Sequence, residues 1–360
     1  DIFTCCAPVD SKSSFEGIGQ IPPGHYAKFS EYGGLKVVPY CDLSFQSERN
    51  NGVYLMRYLP EWSEEISSLL YDAARIRLRA DVPVGAYLSG GIDSTYTSAL
   101  VKNNFNNRLR TFSVSFTDKR FDEAIFQQKA VKALATDHRT VQCSEEDIAK
   151  AFPRVIWHTE TPLLRTAPAP LYLLSKLVRD NDFKVVLTGE GADEIFAGYN
   201  IFKEDKVRRF WAKNPDSVIR PRLLEKLYPY IFTDGNGKAK TFLENFFKRD
   251  LLKVDWPAYS HMLRWQNTAR LKSFFSDDLR AQNGGLGGFI DRYNAMLPPD
   301  LLSWDPLSRA QYTESKIFLS NYLLSSQGDR MAMANSVEGR YPFLDHRVVE
   351  LAAKIPAYYR

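Results

Sequence analysis

Ser89-Gly90-Gly91-Ile92-Asp93-Ser94 is the stretch around which the chain is organised. Before it, Val84-Gly85-Ala86-Tyr87-Leu88 has the length and apolarity of a short strand; after it, Thr95-Tyr96-Thr97-Ser98-Ala99-Leu100-Val101 starts a helix. A Ser-Gly-Gly turn at such a junction lets the backbone come close to a ligand with its N–H groups outward. The helix N-terminus behind it adds to the attraction for phosphate oxygens. Ser89 and Ser94 supply neutral hydroxyl donors, whereas Asp93 would repel a bare phosphate and makes sense as a magnesium ligand. The six residues read as a nucleotide pyrophosphate site, and not as a Walker loop, because the Gly-Lys-Ser/Thr ending is absent. A plain strand-to-helix turn would satisfy the same six residues.

Outward from this loop the pattern alternates. Ser63 as N-cap, with Glu64 and Glu65 in the first turn, predicts a helix to about Arg79 that turns Ile66, Leu69, Leu70, Ala73 and Ile76 to one side. Strands over Thr111–Phe116, His138–Cys143 and Lys184–Thr188 are interleaved with helices over Asp122–Ala135, Glu145–Trp157 and Ala169–Arg179. That order predicts an α/β fold, a parallel sheet flanked by helices, with ligands beyond the carboxyl ends of the strands. A second such end reads Thr188-Gly189-Glu190-Gly191-Ala192-Asp193-Glu194. The favourable first turn of a helix accounts for Asp193 and Glu194. It does not account for Glu190, which sits between two glycines where backbone is cleared for a ligand, and Glu190 is therefore the candidate functional carboxylate.

The flanks are less explicit. The first 46 residues are short extended pieces divided by Gly and Pro, as in hairpin-rich β structure, and are too few to close a core alone. From Asn200 to Ser326 the chain is aromatic and basic, with helical stretches at Pro221–Leu227 and Ala310–Leu324, and Asn283-Gly284-Gly285-Leu286-Gly287-Gly288 reads as a flexible loop. Asp329, Arg330, Glu338, Arg340 and Asp345 are expected to form one partly buried ion-pair network that positions elements.

A chain of 360 residues is long enough for two domains, and 44% hydrophobic with 25% charged residues marks it as globular. With 47 basic against 43 acidic residues, the balance gives no electrostatic case for nucleic acid or an acidic membrane. Cys5, Cys6, Cys41 and Cys143 are not at metal spacing, no run approaches a membrane span, and Asp1-Ile2-Phe3-Thr4 is not a signal peptide, so a reduced cytoplasmic protein is expected.

Seven ordered stretches together resemble the asparagine synthetases of the glutamine-hydrolysing type. They are Phe15–Ile18 with Pro22–Tyr26, Arg79–Gly85, Ser89–Ser94, Phe121–Ala124, Thr136–His138, Gly189–Tyr199 and Asp329–His346. The resemblance implies an ATP-pyrophosphatase fold, like the adenine nucleotide alpha-hydrolases, with a helical C-terminal part and a small β-rich N-terminal remnant. Residues 1–46 would be the far end of an N-terminal-nucleophile glutaminase domain. Residues 47–360 would be the synthetase domain, nucleotide-binding over 47–200 and mainly helical over 201–360. It implies an AMP-forming ligase that makes asparagine from aspartate and ammonia through β-aspartyl-AMP, with ATP and Mg²⁺.

On that resemblance Ser89, Gly90, Gly91 and Ser94 hold the pyrophosphate, Leu88, Val114, Thr188 and Gly189 contact the nucleotide, and Asp93 with Asp193 carries Mg²⁺. Glu190 serves as general base or positioning group, and Arg165 meets the substrate's α-carboxylate. β-Lactam synthetases, which are similar in the loop, carry tyrosine where Glu190 stands, which favours external ammonia over ring closure. Around Arg165 the spacing Glu160-Thr161-Pro162-Leu163-Leu164-Arg165-Thr166 departs from the family's, so another carboxylate stays open as substrate. Residue 1 is Asp where the glutaminase nucleophile is a cysteine, so this chain is not expected to hydrolyse glutamine without a missing glutaminase domain or subunit. The family's adenylation lysine has no counterpart here, and a homodimer is left open. A catalytically silent ATP-binding module is the alternative from a different class.

Overall fold

A computed structural model of the chain describes residues 1–9, 11–45, 57–106, 108–228, 237–283 and 285–360. The expected domain boundary at 46/47 lies outside the described residues. Two strands form a hairpin, β1 (His25–Ser30) and β2 (Gly34–Pro39), paired antiparallel. Five more form one parallel sheet: β3 (Val84–Tyr87), β4 (Arg110–Phe116), β5 (Asp137–Cys143), β6 (Val185–Leu187) and β7 (Glu338–Arg340), in the order β5-β4-β3-β6-β7. The chain builds outward from β3 to β5 on one side and then returns to the other side of β3 with β6. The order therefore reverses between β3 and β6, which is where ligands of open parallel sheets bind.

Burial follows strand position. The central β3 and β6 read Val-Gly-Ala-Tyr and Val-Val-Leu and are buried on both faces, whereas the edge strand β5 exposes Asp137, Arg139 and Thr140. On β6, Val185 and Leu187 join Val84, Ala86, Val101 and Ala74 on one face, and Val186 joins Phe112, Leu174 and Val178 on the other. The helices Leu59–Arg77 and Ile92–Asn104 cover the first face, and Pro168–Asp180 covers the second.

Several expectations are corrected. The first long helix spans Leu59–Arg77, beginning ahead of Ser63 because Pro60 occupies the first turn, where its missing N–H costs nothing. Its buried side is Trp62, Leu70, Ala73 and Ala74, with Ile76 exposed. The expected loop at 283–288 is instead helical on either side of residue 284, in Asp277–Asn283 and Gly285–Ala295. The helix expected over Ala310–Leu324 is an α-helix, Pro306–Thr313, running into a π-helix, Glu314–Asp329. β7, unforeseen, adds the fifth strand from the part expected to be mainly helical. No helix among the described residues is long and apolar enough to cross a membrane.

The expected single ion-pair network also resolves differently. Arg330 pairs with Glu160, Asp329 accepts a hydrogen bond from the Tyr341 hydroxyl, and Arg340 pairs with Glu338 while its Nη1 donates to the carbonyls of Arg77 and Arg79. Asp345, 5% exposed, is gripped by Arg77 at 2.9 Å and by Arg347 at 2.9 Å, and Arg347 reaches on to Asp72 at 2.6 Å. Arg77 and Asp72, from the first long helix, carried no sequence signal for this contact, because they are remote from Asp345 in the chain.

Burial alone would raise the Asp345 carboxyl, but the hydrogen bonds from Arg347 and Arg77 outweigh it and hold the group well below the usual carboxylate range. A depressed folded pKa contributes stability that is present above the unfolded value of about 3.9 and is lost as pH falls through the folded one. Asp345→Asn is expected to lower unfolding free energy at neutral pH by about 2 kcal/mol in urea titrations. The variant's stability should also fall less steeply than that of the wild type below about pH 4.

Candidate active site

Two loops meet at the reversal of strand order. The first follows β3, where Leu88 is buried and its N–H donates to the Phe112 carbonyl. Gly90 adopts φ +86°, and a Cβ there would lie 2.5 Å from the Gln127 nitrogen, so the turn rests against the helix Ala124–Leu134. Ser94, in the first turn of Ile92–Asn104, ties the loop together. Its Oγ accepts from Ser89 N at 3.1 Å, lies 2.8 Å from Ser89 Oγ and donates to the Gly91 carbonyl.

The second loop follows β6. Thr188 N donates to the Arg340 carbonyl, so β7 fixes the start of the loop, and Glu190 N donates to Thr188 Oγ1 at 3.2 Å. At Gly189 a Cβ would lie 2.7 Å from Ser94 N and 3.0 Å from Asp93 Cβ. The loops thus touch backbone to backbone, which brings Asp93 beside the carboxylates of the second loop.

Those carboxylates are poorly compensated. Burial, then Asp193 and Asp93, push the Glu190 carboxyl up to about 7; burial and Asp193 push Asp93 up to about 6. Asp193 is raised by burial, with Lys203 drawing it back. Glu194, 1% exposed, is raised to about 8, chiefly by burial, although Tyr199 donates to its Oε1 at 2.8 Å. Sequence reasoning placed Glu194 with a helix dipole; the helix there, Ala192–Ile195, is a single turn, and Gln311 Nε2 caps it by donating to the carbonyls of Glu194 and Ile195.

The loops enclose a cavity of about 340 Å³. Leu88, Ser89, Gly91, Asp93, Ser94, Val114, Thr188, Gly189, Glu190 and Asp193 all line it. Gly90 does not; its place is in the turn behind the wall. Gln127, absent from the sequence reading, also lines it, donating to the Val114 carbonyl at 2.8 Å and accepting from Ser113.

Arg165 stands apart, at the exposed edge of a neighbouring cavity of about 410 Å³. The two cavities share Tyr199, Leu323 and Gln327. Leu323 and Gln327 come from the π-helix, whose i→i+5 bonding returns a side chain to one face about every four to five residues. Glu314, Phe318, Leu323 and Gln327, spaced by four, five and four, accordingly line the second cavity together. An α-helical reading of this segment would scatter them.

Among the described residues no group of three or more His, Cys, Asp or Glu is arranged to hold a metal ion. Asp93 and Asp193 are instead oxygen donors of the kind suited to a cation that completes its shell with water and ligand oxygens.

The family profile described as asparagine synthase matches residues 65–360. The chain is 30% identical to asparagine synthetase [glutamine-hydrolyzing] 1 of Bacillus subtilis, over 94% of this chain and 50% of that protein. It is 29% identical to the amidase chyE of Penicillium rubens over 97% of this chain and 53% of the relative. To a putative asparagine synthetase [glutamine-hydrolyzing] of Mycobacterium tuberculosis it is 31% identical, over 82% of this chain and 42% of the relative. The chain spans about half the length of these curated relatives.

Because the two loops meet at Gly189, a single methyl group there tests the geometry. Gly189→Ala is expected to destabilise the protein by about 1–3 kcal/mol in urea unfolding. Wild-type stability would mean that the loops do not touch.

Proposed function

The chain belongs to the asparagine synthase family, and on that premise we propose that it is an ATP-dependent, AMP-forming ligase that converts a carboxylic acid and ammonia into an amide. The observation that carries this reading is the meeting of the Ser89–Ser94 and Thr188–Asp193 loops around one cavity, at the point where strand order reverses.

In this reading the backbone N–H groups at Gly91 and the start of Ile92–Asn104, with the hydroxyls of Ser89 and Ser94, receive the β- and γ-phosphate oxygens of ATP. Leu88, Val114, Thr188 and Gly189 border the rest of the nucleotide. Asp93 and Asp193 would hold Mg²⁺, whose charge, when bound, offsets what develops on the departing pyrophosphate. The raised carboxyls fit such a partner, since a cation favours their charged forms.

The substrate carboxylate oxygen attacks the α-phosphorus as its bond to pyrophosphate breaks, giving an acyl-AMP. The ammonia lone pair then attacks the acyl carbon and AMP leaves with the bonding pair. Glu190, in its ionised form, takes the proton that nitrogen sheds. Ammonia would come from a glutaminase part outside these residues, in keeping with the glutamine-hydrolyzing name of the Bacillus relative. Asparagine from aspartate is the narrower form of the proposal; the large second cavity favours a different acid.

The test is pyrophosphate and amide formation with ATP, Mg²⁺, ammonium and a panel of carboxylic acids, against a no-acid control. Acid-dependent release is expected, and a protein that binds ATP·Mg²⁺ but releases nothing with any acid would be a binding module instead. Glu190→Gln is expected to bind ATP·Mg²⁺ normally and to form amide about 10²-fold more slowly. Asp93→Asn is expected to weaken ATP·Mg²⁺ binding itself, measured by calorimetry.

A further inference from the structure

The second cavity, about 410 Å³, falls in the range of about 300–1,000 Å³ that encloses drug-sized molecules, well beyond the needs of a four-carbon diacid. Its wall is built from Trp265, Ile317, Phe318 and Ile201, and Trp265 is fixed edge-on against Phe289 and Tyr293 at about 5 Å. Such a surface gains from covering a ring and gains nothing from a small, fully hydrated acid.

Its polar groups are selective. Arg264 is held through both terminal nitrogens by Glu204 at 2.6 Å, so its charge is already matched. Arg165 has no carboxylate ion pair among the described residues; its guanidinium lies 5.0 Å over the Phe318 ring and against the Cys6 thiol. Thr4 is 1% exposed and its Oγ1 has no hydrogen-bond partner, an arrangement that costs stability unless a ligand supplies one.

Glu314 is the carboxylate among the described lining residues. Its Oε2 is taken by His261 Nε2 at 2.6 Å, and His261 Nδ1 lies 2.8 Å from Ser260 Oγ. His261 thus holds one oxygen of Glu314, and Arg165 is the lining guanidinium without a carboxylate of its own among the described residues.

Resting on the ligase reading above, we propose that the acid activated by this chain is a ring-bearing carboxylate. Its body fills the second cavity, and a second anionic or acceptor group meets Arg165 and Thr4. The reacting carboxylate passes between Tyr199, Leu323 and Gln327 into the nucleotide cavity. This assigns Arg165 to recognition of a bulkier acid than aspartate, and makes the π-helix face the template for its shape.

Aspartate and N-benzoylaspartate form a matched pair, since the second adds a ring and removes the ammonium charge. Calorimetry on the full chain with ATP·Mg²⁺ analogue present is expected to give N-benzoylaspartate an affinity at least about tenfold above aspartate. Arg165→Gln should weaken N-benzoylaspartate by about tenfold or more, leave nucleotide affinity unchanged, and be partly rescued by Arg165→Lys. Equal or tighter binding of aspartate, or indifference to Arg165→Gln, overturns the inference.

Pyrophosphate release measured in parallel separates the two levels. Release with aspartate alone keeps the ligase reading and overturns the inference, whereas release with N-benzoylaspartate supports both. Arg165-dependent binding of N-benzoylaspartate without release from any acid removes the ligase reading and leaves the recognition standing.

Discussion

The contact between Gly189 and the Asp93–Ser94 backbone is the constraint on which the rest of the site depends. Parallel strands β3 and β6 lie side by side, and their loops would splay apart if residue 189 carried a side chain at the point of contact. With glycine there, the helix N-terminus behind Ser94 and the carboxylates behind Thr188 face the same space. The consequence is electrostatic: Asp93, Glu190, Asp193 and Glu194 crowd together with Lys203 as the cation that tempers Asp193. An arrangement of this kind is disfavoured in isolation, and it is held in place by packing that has little to do with charge. β7 anchors Thr188, and Arg340 ties β7 to the end of the first long helix.

The strand–turn–helix around Ser89 was legible because every local signal agreed, from the apolar run of 84–88 to the glycine pair and the hydroxyls. The helix over Pro168–Asp180 and strands β4 to β6 were legible for the same reason, with boundaries shifted by a residue or two. Residues that meet only through tertiary structure were not. Asp345 carried its charge in the sequence, yet nothing local linked it to Arg77 or Asp72. Three-residue β7 has no periodicity to detect, and its Glu-Gly-Arg composition suits an edge that pairs on one side alone.

The site divides in the same way. Ser89, Asp93, Ser94 and Glu190 announced themselves by residue type and turn chemistry, and all four line the cavity between the two loops. Gln127 and Gln327 did not, because a glutamine on a helix is ordinarily a solvated surface group. Glu194 was discounted for a sound local reason, first-turn placement, that its burial overrode. Arg165 was singled out as a cation for a carboxylate, and the structure puts it in the neighbouring cavity, apart from the Ser89 loop.

The π-helix Glu314–Asp329 carries a consequence of another sort. Its side chains reach the wall between the two cavities through the count of residues per turn, with the Arg330 N–H still closing an i→i+5 bond onto Ser325 at its end. Many exchanges of one apolar residue for another along this wall would leave the count intact. Removing or adding one residue would rotate everything downstream, including Gln327, off the wall. The segment is therefore free to drift in composition and frozen in length, so descendants of this sequence could retune the chamber by substitution while insertions and deletions were purged.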